Sequence, residues 1–336
     1  MIITITLNAA LDRTQRIEHP LQVGQAQSRG VQSSEPGGKG INVSRAIKAL
    51  GGSSIALGFS AGTNGRIMKD MLTAADIHHD FVDIAGQLRV NTQIIDAQGG
   101  HTEVNEPGNK LDDSDFLRLL DRMENYLDEG NIFVLAGSTP PEFPLKNYRK
   151  LCKTIKKHGC KLIIDAQGEL LQEALRCEPD FVKPNIFELA EAVGDKPSAD
   201  PEVVVHSARK MLDMGAKAVC VSMGQEGALL TAKDEPESLY VTTTPKIYDE
   251  GAVGTGDAMV GAIANAMHAG MKFDEVARYA VAMGRACAVW PAPRWPLSRR
   301  FTRCTRPRRF TSCKQYTNYG ENNRWLFSLL LFSQLL

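Results

Sequence analysis

Two glycine-rich stretches, with a few carboxylates, asparagines and basic residues, hold the chemistry that can be read from this chain. The first is Glu250–Met259, Glu-Gly-Ala-Val-Gly-Thr-Gly-Asp-Ala-Met. It follows a strand-like run, Tyr240–Thr244, and precedes a small-residue helical pattern, Ala258–Ala269. Gly251, Gly254 and Gly256 leave the backbone free to turn its N–H groups inward at a helix start. Unpaired amides and the positive end of the helix dipole make such a start an anion cradle. The backbone of Gly254, Thr255 and Gly256 would line it. Asp257 stands at its lip, where a carboxylate could take the proton of a hydroxyl attacking a phosphoryl group. Taken alone, the segment reads more simply as a glycine turn with Asp257 as helix N-cap; the rest of the chain reverses that preference.

The second cluster is Pro36-Gly37-Gly38-Lys39-Gly40-Ile41-Asn42. Its glycines permit close approach of backbone to ligand, and Asn42 on the first helical turn can bond sugar hydroxyls. It is not a Walker A loop, because Gly40 follows Lys39 and no glycine stands five residues before Gly38. By itself it divides evenly between a structural turn and a ligand site. Lys183-Pro-Asn185-Ile-Phe-Glu188 opens a helix straight after a strand. Asn185 and Glu188 share one side of that helix start, which suits water-mediated Mg²⁺ near phosphates and equally suits a capping box. Val221-Ser-Met-Gly224-Gln-Glu-Gly227 is a strand end and turn where backbone could approach a nucleotide. Arg89, in Leu88-Arg-Val-Asn91-Thr, is an ordinary solvated arginine unless a phosphate lies beside it. His78-His79 reads as solvated, and neither a Ser–His–Asp set nor a metal-ligand cluster stands out.

The elements that position these residues alternate. Ile2–Leu7 reads as a first strand delivering Asn8 and Asp12 to its end, and Arg16–Ser34 as a polar region with short β-like pieces. A helix from the second glycine cluster runs to Leu50, followed by strand Ser54–Phe59, helix Gly65–Ala75 and short strands at Phe81–Asp83, Val90–Asp96 and His101–Asn105. Then helices Asp113–Glu129, Leu145–Gly159, Gly168–Cys177 and Pro201–Met214 each precede a strand: Ile132–Ala136, Lys161–Asp165, Phe181–Lys183 and Ala218–Ser222. This rhythm indicates a parallel sheet covered by helices on both faces, with function gathered at the C-terminal strand ends. Asn8 and Asp12, Gly137-Ser138, Asp165, Asn185, Glu188 and Ser222–Gly224 all fall there.

The 336 residues are 43% hydrophobic and 23% charged, ordinary values for a globular protein, and the formal net charge of zero averages two unlike parts. Beyond residue 290 stand nine Lys and Arg against one Asp or Glu, leaving a net of −8 for residues 1–290. An acidic body argues against nucleic-acid binding, so an anionic substrate needs a local basic site. The first residues read as a strand and not as a signal peptide. Seven cysteines (152, 160, 177, 220, 287, 304 and 313) show no CxxC pair, which suits buried thiols in a reducing cytoplasm.

Taken together, these residues resemble the ribokinase-like sugar kinases, and more closely the phosphofructokinase B branch with 1-phosphofructokinase and tagatose-6-phosphate kinase. The matching pieces are Thr6-Leu-Asn-Ala-Ala-Leu-Asp12, Pro36–Asn42, Asn105-Glu-Pro-Gly108, Ala136-Gly-Ser138-Thr-Pro140, Lys183–Glu188 and Val253-Gly-Thr-Gly-Asp257, in the family's order over about residues 1–290. The resemblance implies a three-layer αβα fold with a mainly parallel central sheet and a small β-sheet lid, its strands within 12–34 and 88–106. It implies an ATP- and Mg²⁺-dependent kinase of a ketohexose phosphate, most closely fructose 1-phosphate to fructose 1,6-bisphosphate, with tagatose-6-phosphate kinase as the alternative. Carried over, Asp257 resembles the general base, and the amides of Gly254, Thr255 and Gly256 the anion hole. Asp12, Gly38, Lys39, Asn42 and Ser138 match sugar-site positions, with Lys39 and Arg89 as partners of the sugar's existing phosphate. Asn185, Ser222, Gly224 and Gly227 match nucleotide positions, and Glu188 a water-mediated Mg²⁺ position. The expected partners are a sugar phosphate and ATP in the cytoplasm, without nucleic acid or membrane, and a homodimer through the lid is compatible.

Two departures stand against the family pattern. Gly251-Ala252 replace the usual Asp-Thr or Ser-Thr, and beyond Ala288 the wall of an adenine site gives way to a Pro- and Arg-rich, then apolar, tail. Residues 291–336 read as disordered or frameshift-derived. A third reading, a degenerate non-catalytic sugar-phosphate binder, rests on that altered end.

Overall fold

The computed structural model describes residues 1–27, 30–242, 254–289 and 306–310. Alternating Ile and Thr make β1 (Ile2–Thr6), buried along its length. The chain leaves the main sheet for β2 (Ala10–Ile17) and β3 (Gly30–Gly37), then returns through α1 (Lys39–Ala49), β4 (Ile55–Ala61), α2 (Gly62–Ala74) and β5 (His78–Ile84). It leaves again for β6 (Arg89–Ile95) and β7 (His101–Asn105). Helix and strand then alternate: α3 (Asp113–Glu124), β8 (Ile132–Ala136), α4 (Leu145–Lys157), β9 (Lys161–Asp165), α5 (Gly168–Leu175) and β10 (Phe181–Val182). There follow α6 (Ile186–Val193), α7 (Pro201–Asp213), β11 (Ala218–Ser222), β12 (Ala228–Ala232), β13 (Ser238–Thr242), α8 (Thr255–His268), α9 (Phe273–Val289) and β14 (Arg306–Phe310).

The main sheet has the order β14-β13-β12-β11-β10-β9-β8-β1-β4-β5. Pairing is parallel from β5 to β11 and antiparallel through β12, β13 and β14. Because successive strand residues point to opposite faces, the apolar strands feed two cores. Ile3, Ile5, Phe133 and Leu135 pack against α3 to α7. Ile2, Ile132 and Val134 pack against α1, α8 and α9. Three layers result, with the site residues at the carboxyl ends of β1, β8, β9, β10 and β11.

The small sheet, β3-β2-β6-β7, matches the expected lid, but it corrects the placement of Asp12. This residue lies inside β2, paired with Asn91 of β6 and Glu35 of β3, and not at the end of β1. Of the described residues in the region expected to hold short β-like pieces, Arg16–Ser34, only the two ends are strand: β2 runs into it as far as Ile17 and β3 begins at Gly30. β12 and α9 have no counterpart in the sequence expectations; the Ala-Leu-Leu-Thr-Ala of β12 has no alternation to reveal a strand. Helix α3 also stops five residues before the expected Glu129. Within the tail expected to lack structure, β14 pairs with β13, whose open edge offers a row of backbone donors and acceptors. The rest of that tail, the replaced Gly251-Ala252 pair and the last two residues of the expected strand Tyr240–Thr244 lie outside the described residues.

Candidate active site

Helix α8 begins at Gly254, whose φ of 88° is left-handed and favours glycine, and among the described residues no side chain caps it. Such a start leaves first-turn amides without an intrahelical partner, which is what an anion cradle needs. Asp257 is not the N-cap. It lies within the first turn, 6% exposed, and its Oδ2 accepts a 2.9 Å hydrogen bond from Asn42 Nδ2. The pairing follows from helix packing. One turn further along, a Cβ at Gly261 would come within 2.6 Å of Ala46 Cβ, so glycine lets α8 lie close on α1. Four residues back on each helix, the same approach brings Asp257 to Asn42. Burial raises the Asp257 carboxyl, the nearby Asp165 carboxylate raises it further, and Lys39, Asn42 and Lys183 only partly offset this; the result is about 7.

Behind Asp257 lies a charge cluster. Asp165, at the end of β9, is 1% exposed. Lys39 Nζ stands 3.4 Å from its Oδ2 and Lys183 Nζ 3.3 Å from its Oδ1. Burial alone would raise the Asp165 carboxyl, but Lys183 and Lys39 hold it below the usual carboxylate range. Burial would lower the Lys39 ammonium; Asp165, Asp257 and Glu188 together keep it above the usual lysine value. A Cβ at Gly256 would lie 3.3 Å from Lys183 Nζ, so this buried ammonium sits against the first turn of α8. In the sequence Asp165 is a strand-end candidate without an assigned role, and Lys183 stands in the Lys183–Glu188 motif without one. The available signal was a charged residue closing or following each of two apolar strands. Ser138 is exposed just beyond β8, beside Gly137, whose N–H donates to the Asp165 carbonyl.

A second group surrounds Asp12 and does not include Lys39. Asp12 Oδ1 accepts from Asn91 Nδ2 at 2.8 Å, as the β2–β6 register dictates. A Cβ at Gly37 would lie 2.3 Å from the Asp12 carboxyl carbon, so this glycine makes room for the carboxylate. Burial raises the Asp12 carboxyl and outweighs Asn91, Arg89 and Arg45. Arg89 donates to the carbonyls of Asn8 (2.9 Å), Glu106 (3.1 Å) and Ala9 (3.4 Å), which ties the root of the lid to the end of β1. Its charged neighbours are Asp12 and Glu106, whereas those of Lys39 are Asp165, Asp257 and Glu188. The two basic residues expected to share one phosphate thus have separate surroundings.

On the remaining side, Asn185 caps α6 by accepting from the N–H groups of Phe187 and Glu188, both at 2.9 Å, and Glu188 Oε2 accepts from Asn185 N at 2.8 Å. The capping-box reading of this pair is realised. The box occupies Oε2 and leaves Oε1 for a water or cation. A bridge joins Asn185 to Ser222, and Gly224 opens a short 3₁₀ turn after β11. Gly227 is required by packing, since a Cβ there would meet the Val241 carbonyl at 2.1 Å. Gly38, with φ 106°, likewise lets the start of α1 approach Thr6 and Ala9.

The residues fit a polyphosphate and its cation: an uncapped helix start, two ammonium groups beside it, and one carboxylate of the kind that holds Mg²⁺ through water alongside substrate phosphates.

Comparisons with known proteins agree with this geometry. The pfkB family carbohydrate kinase model matches residues 6–289. The chain is 34% identical over 288 residues to a 1-phosphofructokinase of Bacillus subtilis (strain 168), covering 86% of this chain and 92% of the relative. It is 29% identical over 291 residues to a D-tagatose-1-phosphate kinase of Bacillus licheniformis, with the same shares covered. The structure of phosphofructokinase-2 from Escherichia coli in complex with fructose-6-phosphate superposes with a TM-score of 0.82 at 30% identity, over 90% of this chain and 96% of that one. The three-layer fold with its small separate sheet is ribokinase-like. On the strength of the family match and the relative at 34% identity, the chain belongs to the pfkB family of carbohydrate kinases.

Proposed function

We propose that this chain transfers the terminal phosphoryl group of ATP to a ketohexose phosphate, converting fructose 1-phosphate to fructose 1,6-bisphosphate. The observation that carries the proposal is Asp257, buried at an uncapped helix start and oriented by Asn42. With Oδ2 occupied by Asn42, Oδ1 is the atom that accepts the proton of the sugar's attacking hydroxyl. The hydroxyl oxygen forms its bond to the γ-phosphorus as the bond to the ADP oxygen breaks. The amides of Gly254, Thr255 and Gly256 meet the charge that spreads over the phosphoryl oxygens. Asp12 and Asn42 orient the sugar hydroxyls, the small sheet covers the sugar, and Ser222, Gly224 and Gly227 line the nucleotide side. Glu188 would hold Mg²⁺ through water, and the cation would supply further charge neutralisation when bound.

The reaction belongs in a reducing cytoplasm, consistent with the five buried free thiols among the described residues. Among those residues no helix is long and apolar enough to cross a membrane. The exposed length of β7 leaves the small sheet open to a second copy, and light scattering after size exclusion tests for the dimer.

A coupled ADP-release assay against fructose 1-phosphate, fructose 6-phosphate and the tagatose phosphates tests the proposal, with Asp257→Asn as control. Turnover on fructose 1-phosphate that falls at least ~10²-fold in the variant is expected. Preference for a tagatose phosphate would move the substrate to the runner-up. Sugar-phosphate binding without turnover would favour the degenerate binder.

A further inference from the structure

Asp165 costs more than an ordinary buried residue. An ionised carboxylate at 1% exposure carries a desolvation penalty of several kcal/mol unless well compensated. Its compensation is unusual in form. Among the described residues neither oxygen has a well-aligned hydrogen-bond partner, and the two ammonium groups stand at 3.3 and 3.4 Å. A charge-assisted hydrogen bond closes to about 2.7–2.9 Å. The two lysines come from different elements, Lys39 from the start of α1 and Lys183 from the end of β10, and they converge on one carboxylate at the end of β9. Lys183 Nζ also lies against Gly256, in the first turn of α8.

We infer that Asp165 is a positioning residue whose carboxylate aims the ammonium groups of Lys39 and Lys183 at the start of α8, where they neutralise the phosphoryl group in transfer. The inference rests on the kinase reading above and goes beyond it. It assigns Lys39 to the transferred phosphoryl and leaves the sugar's existing phosphate to the Asp12–Arg89 side. The same carboxylate acts on the base. The groups facing Asp257 are Asp165 from β9, Lys39 and Asn42 from α1, Lys183 after β10 and Cys287 from α9. Glu188, from α6, faces Lys39. Among these Asp165 is the carboxylate that presses on Asp257, so its charge keeps the base a better proton acceptor.

Asp165→Asn removes the charge at nearly constant volume. The expected result is a kcat loss of about 10²-fold, with the acid limb of the kcat/KM pH profile moved down by about one pH unit. A prop that merely supports folding would reduce folded protein without moving that limb. Because two buried ammonium groups without a counter-charge could prevent folding, the double variant Asp165→Asn/Lys183→Met is compared with Lys183→Met. There the exchanged pair restores charge balance, and the limb is again expected to move down. An unmoved limb, in the single variant or in the paired comparison, overturns the inference, whatever the kcat. Asp257→Asn separates the two claims. If it retains activity, the kinase mechanism fails; if it loses activity while Asp165→Asn leaves the limb in place, only the role of Asp165 fails.

Discussion

On the proposed kinase reading, the two ends of the site are made of different material. At the phosphoryl end, Asp257, Asp165 and Lys183 are 6%, 1% and 5% exposed and stand on α8, β9 and the end of β10, all seated in the main cores. At the sugar end, Asp12, Asn91 and Arg89 are half-buried and stand on strands of the small sheet. The difference follows from what each end must do. Charge stabilisation works through dipoles and ions that are fixed beforehand and shielded from water. Recognition of a sugar needs polar groups that can open to admit it and close over it. The comparison predicts that damage at one end appears in kcat and damage at the other in KM.

The largest effect expected is at the phosphoryl end. Asp257→Asn keeps the shape and the hydrogen-bonding reach but removes the base, so kcat falls ~10²–10⁴-fold while the sugar-phosphate KM stays near its original value. Asp12→Ala removes an ionised acceptor and leaves Asn91 without its partner. It is expected to raise that KM by about 10–100-fold, the equivalent of the ~1.5–3 kcal/mol of a charged hydrogen bond, with a smaller change in kcat. Steady-state kinetics on both variants checks the split, and a kcat loss shared equally by the two would erase it.

Next in size is pH. Asp257, raised to about 7, must be ionised to take a proton. Activity is therefore full above about 7 and falls about tenfold for each further pH unit of acidification, as the base is protonated. Stability runs the opposite way. The folded carboxyl binds a proton more tightly than the unfolded one, so this group's contribution is fully present below the ordinary carboxylate range and is lost as pH rises through about 7. The kcat/KM profile measures the first trend. The difference in melting temperature between wild type and Asp257→Asn across the same pH range measures the second. Asp12, raised by burial but facing Arg89 and Arg45, adds a second acid limb that should disappear in Asp12→Ala.

Much of the phosphoryl end was legible in the sequence because glycines and charges at strand ends have few other uses. The uncapped start of α8 follows from Gly254 and Gly256, and the place of Asn42 from the glycines before it. Lys183 was hidden inside a motif that also spells a helix cap, and both oxygens of Asp165 acquire meaning only when residues 39 and 183 meet there. The sugar end was harder. In the sequence Asn8-Ala-Ala follows the first strand and puts Asp12 at the end of β1, yet the chain crosses directly into β2, where pairing with Asn91 depends on β6, about eighty residues away. An arginine's type gives its charge and not its neighbours: three backbone carbonyls take three of the five N–H donors of Arg89, and the remaining two are what it could offer a phosphate.

The smallest effect tests whether the phosphoryl end is as rigid as its burial suggests. Gly261 touches no substrate position, but a Cβ there would meet Ala46 Cβ at 2.6 Å and the Val43 carbonyl at 3.0 Å. Neither is a flexible side-chain tip, so Gly261→Ala must push α8 away from α1 by a fraction of an ångström. That overpacking costs roughly 1–3 kcal/mol, partly offset because alanine is the better helix former by about 1 kcal/mol. One turn away, the same shift lengthens the bond from Asn42 to Asp257 and turns the base from its line of attack. Since ~1 Å of misplacement can cost ~10²-fold, a loss of about tenfold in kcat is expected, with the sugar-phosphate KM unchanged because Asp12 and Arg89 are not carried by α8. The variant's melting temperature and steady-state constants decide the outcome. A lowered melting temperature with wild-type kcat would mean that the base tolerates movement, and the contrast between a rigid end and an adaptable one would have to be given up.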